Sequence, residues 1–317
     1  MGMFKISLIL IIFLLVAPFL TITFYKSYID NLRDSVQMPD TNLVKKNNSL
    51  SYDALNNSEK ITFYDNIRFK NSKISYFISP DCSSIKVEGS RNAFKIIENE
   101  TILEFYESDD NPEISIICSD EVKELNNSYF VAGEGGPDFI INTSRYNIIL
   151  NGTVLLYKSD RCDEPVVVIH EILHVLGFKH SRDKKSILYP SSNCNQKITP
   201  EIINEIASLY KDPALADLTF IKLDARKKGF FLSFDAEIKN TGLADAEDVS
   251  LSIYDGDKLL EKYDLGAIGF GAGKLFKVTN AMFVRKSSSL IFIVDDENHI
   301  AEIDEENNKI ERILTND

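Results

Sequence analysis

The sequence predicts a mixed α/β domain followed by an all-β sandwich, set behind an N-terminal transmembrane helix. Three observations carry that reading: a charge-free apolar run at Ile6 to Tyr25, strand and helix periodicities interleaved between Lys73 and Tyr210, and short alternating strands after Pro213. A length of 317 residues suits two domains with short appendages. Hydrophobic residues at 44% and charged residues at 26% describe a folded chain and set wholesale disorder aside. A formal charge of -13 and a pI near 4.9 argue against a nucleic-acid partner, which normally requires a basic patch.

The anchor is assigned to residues 1–26. Ile6 to Tyr25 offers 20 mostly apolar residues, enough for a hydrocarbon core of roughly 30 Å. A cleaved signal peptide, which would leave a secreted protein, is the competing account. Its apolar region is usually shorter, and no small-x-small cleavage site follows here. Lys5 flanks the run on one side and Lys26 and Arg33 on the other, so charge does not choose the orientation. The cysteines do better. Cys82, Cys118, Cys162 and Cys194 all lie beyond the anchor, even in number and in no CxxC pair, as disulfide formers in an oxidising space do. Sequons at Asn47, Asn56, Asn99, Asn126, Asn142 and Asn151 add weak support, and the body of the protein is expected outside the cytoplasm.

Residues 27–72 read as a polar stalk, through KKNNSLS and LNNSEK stretches with little periodic hydrophobicity. Residues 73–212 form the α/β domain. KISYFI reads as a strand, Ile85 to Ile97 as a helix, TILEFY and EISIIC as strands, and FIIN, YNIIL and TVLLY as three more. Gly133, Gly135, Gly136 and Pro137 interrupt that series and predict a turn or loop. A helix begins near Glu164 or Pro165 and carries the apolar stretch Val166 to Leu176. Another opens at Thr199-Pro200-Glu201 and ends before Pro213. Residues 213–317 then supply DLTFIKLDA, GFFLSFDAEIKN, DVSLSIYDG, KLFKVTN, SLIFIVD and KIERIL, separated by NTG, DGD and GAG turns, which is sandwich spacing.

The first apolar helix contains His170-Glu171-Ile172-Leu173-His174-Val175-Leu176-Gly177-Phe178-Lys179-His180, the pattern HExxHxxGxxH. His170 and His174, four apart, share a helix face and can present imidazoles to one ion. Glu171 is one step round, close to the metal without being a ligand, where it can take a proton from an activated water. Gly177 suits a helix end with φ > 0, so the chain can reverse and return His180 as third ligand. Three imidazoles leave the fourth position of one catalytic Zn²⁺ open, as a reactive site requires. The chain has only 4 His, and three stand in this pattern. A chance match at all five specified positions is on the order of one in 10⁵. His299, the fourth, reads as a surface residue.

The run His180-Ser181-Arg182-Asp183-Lys184-Lys185-Ser186-Ile187-Leu188-Tyr189-Pro190 resembles the HSxDxxALMYP segment of matrixins, a family of metzincin zinc proteases. The resemblance covers roughly residues 73 to 211. It implies a metzincin-like zincin fold, a zinc endopeptidase activity on protein or peptide substrates, and an edge strand that pairs with extended substrate. That edge strand is expected between Phe139 and Leu150. In matrixins a methionine forms an apolar floor under the metal, and the residues after it a wall of the substrate pocket. Here Leu188 takes the methionine position, followed by Tyr189 and Pro190. Leucine is apolar and similar in volume, so a floor can form. No PRCGxPD latency segment is present, and Pro80 and Cys82 imitate one poorly. Of the three disulfide connectivities, proximity in sequence favours Cys82 with Cys118 and Cys162 with Cys194.

From about Ala214 the chain resembles the CARDB family of adhesion-related domains, through Asn240-Thr241-Gly242 and the stretch Ile300-Ala301-Glu302-Ile303-Asp304-Glu305-Glu306-Asn307-Asn308. This implies an immunoglobulin-like sandwich serving as a spacer or surface-binding module, its ligand unspecified. The acidic cluster from Asp295 to Glu306 reads as solvated turn carboxylates ahead of a structural Ca²⁺ site. Two rival functions stand beside the peptidase: a surface adhesion or scaffold protein with a structural zinc site, and a hydrolase of cell-wall peptides. Glu171 weighs against the scaffold, because a structural site does not need it.

Overall fold

The computed structural model describes residues 60–121, 124–126, 129–157, 162–284 and 287–316. The anchor expected at 1–26 and the stalk up to residue 59 lie outside these residues. Among the described residues no helix is long and apolar enough to cross a membrane. Glu59–Asp317 forms one compact unit, which contains complete apolar cores and both disulfides.

The α/β part opens with β1 (Ile67–Phe69) and β2 (Lys73–Ile78), then α1 (Ser84–Glu100), β3 (Glu104–Glu107) and β4 (Ile114–Cys118). A small hairpin, β5 (Glu124–Asn126) and β6 (Tyr129–Phe130), leads to β7 (Gly133–Asn142) and β8 (Asn147–Leu156), followed by α2 (Val166–Val175) and α3 (Pro200–Leu209). β8 takes β7 along one side. On its other side β1 pairs with Asn147–Ile149 and β4 with Gly152–Leu156, and β2 and β3 continue the sheet. Every pairing is parallel except β7 with β8, which leaves β7 as an antiparallel edge strand. Such an edge has unpaired backbone N–H and C=O groups to offer another chain.

Each helix is placed by its apolar face. α1 buries Lys86, Ser90, Ala93, Phe94 and Ile97, one stripe at helical spacing. The Lys86 ammonium is satisfied by donating to the carbonyls of Ser119, Leu156 and Tyr157 at 3.3, 3.2 and 3.3 Å. α2 is buried on every face, as its near-continuous apolar sequence demands. Cys82–Cys118 joins the approach to α1 to the end of β4, and Cys162–Cys194 joins the approach to α2 to the loop beyond Pro190. Both pairings are those favoured by proximity.

Three expectations are corrected here. The glycines at 133, 135 and 136 do not form a turn; they lie within β7, which packs so tightly on α2 at Gly133 and Gly135 that a side chain there has no room. The strands read as YNIIL and TVLLY are one strand, β8, carried through Gly152, which pairs with Pro137 of β7 and Ile114 of β4. The edge strand is therefore Gly133–Asn142, and Asn147–Leu150 belongs to its inner neighbour. The stalk expected to residue 72 also gives up its end. Ile67 and Phe69 are fully buried in β1, and Phe63 N–H and Lys179 N–H bond the carbonyls of Gly177 and Ile61 at 2.8 and 2.7 Å.

The remaining strands are β9 (Leu218–Lys228), β10 (Phe231–Asn240), β11 (Ala246–Asp255), β12 (Lys258–Ile268), β13 (Gly273–Met282), β14 (Ser289–Val294), β15 (Lys309–Ile313) and β16 (Thr315–Asn316). They form two four-stranded sheets, ordered β13-β10-β9-β16 and β12-β11-β14-β15. Alternating residues such as Leu232, Phe234, Ala236 and Ile238 bury their side chains between the sheets, as a sandwich requires. β12 was not expected, since only Leu265 and Ile268 among its residues are buried and the alternation is faint.

The two parts meet at the turn between β7 and β8. Tyr146 and Ile148 pack with Leu243, flanked by Ala214, Phe270 and Ile303. Thr143 Oγ1 donates to the Thr241 carbonyl at 2.7 Å, and Arg145 pairs with buried Asp217 at 2.9 Å. Asp217 also accepts from Thr241 Oγ1 at 2.8 Å and Asn307 Nδ2 at 2.9 Å.

Candidate metal centre

α2 presents His170 and His174 on successive turns, with Glu171 next to His170, all buried. Its end is set by Gly177 at φ 96°, where a Cβ would meet the Ile67 side chain at 2.8 Å. Phe178 then bridges antiparallel to Thr62 and Lys179 is tied to Ile61, which turns the chain back so that His180 faces the other two histidines. One ligand nitrogen from each of His170, His174 and His180 lies within 4.8 Å of the others. Among the described residues this is the one such His, Cys, Asp or Glu group. His180 is exposed, so the centre opens to solvent on that side.

The hydrogen bonds settle the tautomers. His170 Nδ1 is 2.6 Å from the Ile187 carbonyl, and His174 Nδ1 is 2.7 Å from the Phe178 carbonyl. A carbonyl can only accept, so each Nδ1 carries the hydrogen and each Nε2 of the neutral ring is bare. Burial pulls both rings down to about 4, opposed by those carbonyls; His180 is also lowered by burial. At neutral pH the two Nε2 atoms therefore face each other as lone pairs 2.9 Å apart. That arrangement is repulsive unless a cation shares both, and an all-imidazole donor set suits zinc. The residues fit the ion.

Glu171 is buried beside the edge strand. Burial pushes its carboxyl up to about 8 in the metal-free protein, the Glu134 carboxylate adds to the rise, and a hydrogen bond from the Gly135 backbone N–H opposes it. A dication held by the histidines would favour the carboxylate and draw that value down. β7 lies against α2 at this residue. A Cβ on Gly133 would come within 2.9 Å of Glu171 Cγ, and one on Gly135 within 2.2 Å of the Glu171 carbonyl oxygen. The Tyr157 hydroxyl donates to Glu134 at 3.0 Å.

Leu188 is buried in the main apolar core, Tyr189 is half-buried and Pro190 exposed. Their turn reaches two of the three histidines through backbone: Ile187 O receives His170, and Leu188 O receives Ser181 N–H at 2.8 Å, next to His180. The Cys162–Cys194 disulfide ties the approach to α2 to the chain leaving this turn. Cys82–Cys118 lies apart, at β4. The carbonyls of Ile187 and Phe178 and the fit of Gly133 and Gly135 escaped sequence reading. A backbone carbonyl leaves no residue signature, and a glycine does not declare from sequence whether it marks a turn or a close approach.

The acidic cluster of the sandwich is solvated only in part: Glu297, Glu305 and Glu306 are exposed, but Asp295 and Glu302 are buried, which corrects their reading as solvated, because the backbone uses them as acceptors. Asp295 accepts from the backbone N–H groups of His299 and Ile300 at 3.2 and 2.7 Å, and Glu302 from the Leu218 N–H and Asn308 Nδ2. His299 is exposed.

Residues 68–211 match the family profile described as Matrixin, and residues 216–312 the one described as CARDB. No curated protein matches the chain. Among solved structures it is similar to the CARDB domain of a Pyrococcus furiosus protein crystallised with di-metal ions, at 18% identity over 32% of this chain and 90% of that one, TM-score 0.29. A solution structure of a cell surface protein domain from Methanosarcina acetivorans is similar at 18% identity over 32% and 92%, TM-score 0.29. The Matrixin family implies zinc, in keeping with the histidine group, and supports a metallopeptidase in general. The chain thus carries a Matrixin domain at residues 68–211 and a CARDB domain at residues 216–312.

Proposed function

We propose that the protein is a membrane-anchored zinc endopeptidase acting outside the cytoplasm, with Glu171 as its general base. The observation that carries this is the buried Glu171 carboxyl held against the edge strand, one residue from His170 and three from His174, whose bare Nε2 atoms converge. His170, His174 and His180 would hold the ion, which when bound supplies Lewis acidity to a water and to the scissile carbonyl. The carboxylate of Glu171 takes the proton of the attacking water and delivers it to the leaving nitrogen, so one residue acts first as base and then as acid. The Ile187 and Phe178 carbonyls keep two imidazoles in the tautomer that binds metal. The free side of β7 offers main-chain hydrogen bonds to an extended peptide, favouring endopeptidase action over recognition of a chain end.

Glu171→Gln should leave zinc content unchanged and abolish hydrolysis of a diverse peptide library; retained turnover would exclude the general-base role. A scaffold with a structural zinc would cleave nothing in wild-type form, and a cell-wall hydrolase would cleave only cross-link peptides. The apolar run at Ile6 to Tyr25 supports anchoring, and the cysteines beyond it, closed as two disulfides, support an oxidising compartment. Alkaline extraction of membranes from cells making the full chain should leave it in the pellet; release into the supernatant would instead mark a secreted form.

A further inference from the structure

The far end of the C-terminal sandwich has a surface that neither the metal centre nor the domain junction uses. β9 and β10 join there through Lys228, Gly229 and Phe230, and the pairing register sets Met282, Phe231 and Lys228 side by side on the outer face. The Phe283 N–H bonds the Phe230 carbonyl at 2.6 Å, which brings the end of β13 against the same hairpin. Four large apolar side chains project from this one place: Phe230 is 64% exposed, Phe231 46%, Met282 78% and Val284 66%. Single exposed apolar residues are ordinary on a protein surface, but a contiguous group signals a binding face.

Charge identifies what it binds. The chain as a whole carries -13, yet neither 225–234 nor 278–284 contains an Asp or Glu, while exposed Arg226 and Lys228 stand beside the aromatics. Lower on the same face the cations are neutralised, Lys222 by Asp224 at 2.9 Å and Lys277 by Asp235 at 3.4 Å. Protruding Phe and Met side chains flanked along β9 by Lys and Arg match the two layers of an anionic bilayer surface, acyl chains beneath phosphates. A second copy meeting this end head-on would bring like charges together. The strands run about 30 Å from this end to the domain junction, so such contact leaves the metal centre untouched. We propose that the β9–β10 tip, with Met282 and Val284, is a docking surface for an anionic lipid membrane.

The test uses Glu59–Asp317, the compact unit, which lacks the apolar N-terminal run. It is sedimented with vesicles of phosphatidylcholine alone and of phosphatidylcholine mixed with phosphatidylglycerol, at low and high salt. Partition into the anionic vesicles, weakened by salt, is expected, with little into the neutral ones. F230S/F231S should lower the partition coefficient at least tenfold, and R226S/K228S by about fivefold for each cation removed. All four positions are exposed, so thermal unfolding of both variants should match wild type. Absent binding, equal binding to both vesicle types, or wild-type binding by folded variants would each overturn the proposal. So would concentration-dependent self-association, lost in F230S/F231S, without vesicle binding.

Discussion

Replacing Gly135 by alanine probes the contact on which the metal centre's geometry depends. A Cβ there would sit 2.2 Å from the Glu171 carbonyl oxygen, 2.8 Å from its carbonyl carbon and 2.9 Å from its Cα. All three are backbone atoms of a fully buried helix, so no side chain can swing aside. The shortest contact has to lengthen by about 0.8 Å even to reach 3.0 Å, below which real Cβ atoms are essentially never found. Overpacking of that kind costs about 1–3 kcal/mol, and here it falls toward the upper end because strand and helix must separate as units. A shift near 1 Å between an edge strand and a catalytic carboxylate costs on the order of 100-fold in rate. Gly136 is the internal control, since a Cβ there meets nothing within 4 Å. Alanine at that position should be neutral or stabilising by about 0.4–1 kcal/mol through the unfolded chain. Denaturant unfolding and zinc-loaded peptide hydrolysis of both variants give the comparison. If Gly135→Ala matched wild type in stability and kcat/KM, the close approach of β7 to α2 would not be what positions Glu171.

Asp217→Ala removes the acceptor shared by Arg145, Thr241 and Asn307. Leaving those donors without it should cost about 3 kcal/mol in denaturant unfolding, the low end for a broken buried pair because Arg145 keeps partial access to water. A loss below about 1 kcal/mol would show that the junction contributes little. Glu302 gives a pH signature. Burial raises its carboxyl from 4.5 to about 7, opposed by hydrogen bonds from Leu218 and Asn308. A raised folded value means that its contribution to stability is full below about 4.5 and is lost as pH climbs through about 7. The melting temperature of wild type relative to Glu302→Gln should therefore fall across that window; a constant difference would place the slope on other groups.

The histidine group was legible because it is local. HExxH needs only the geometry of one helix, and Gly177 declares the turn that returns His180. Cysteine proximity suggested both disulfides for the same reason, each closing a span of 36 or 32 residues. The edge strand was misread because glycine has two meanings, a freed backbone angle or the absence of a side chain, and a single sequence does not say which. At Gly135 the second applies, through a helix 36 residues further on. β1 was lost in the polar stalk because three residues carry no periodicity, and β12 because its outward residues dominate. The Asn240-Thr241-Gly242 turn was read correctly as a turn, but its contact with Thr143 depends on a partner 98 residues away.

The turn at Thr143–Tyr146 belongs equally to both halves of the protein, and this constrains how the chain can change over generations. Tyr146 and Ile148 are core residues whose covering, Leu243 and Phe270, is encoded in the other segment. Gly242 is held to glycine by the backbone of Ala216 and Asp217, 2.5 Å from where a Cβ would be. A recombination event that swapped the sandwich for an unrelated module would bare an apolar patch on the α/β part and orphan Arg145. The two segments, each recognisable alone, thus share one packing problem, in which any side chain at 143–148 has to fit those at 215–217 and 240–243.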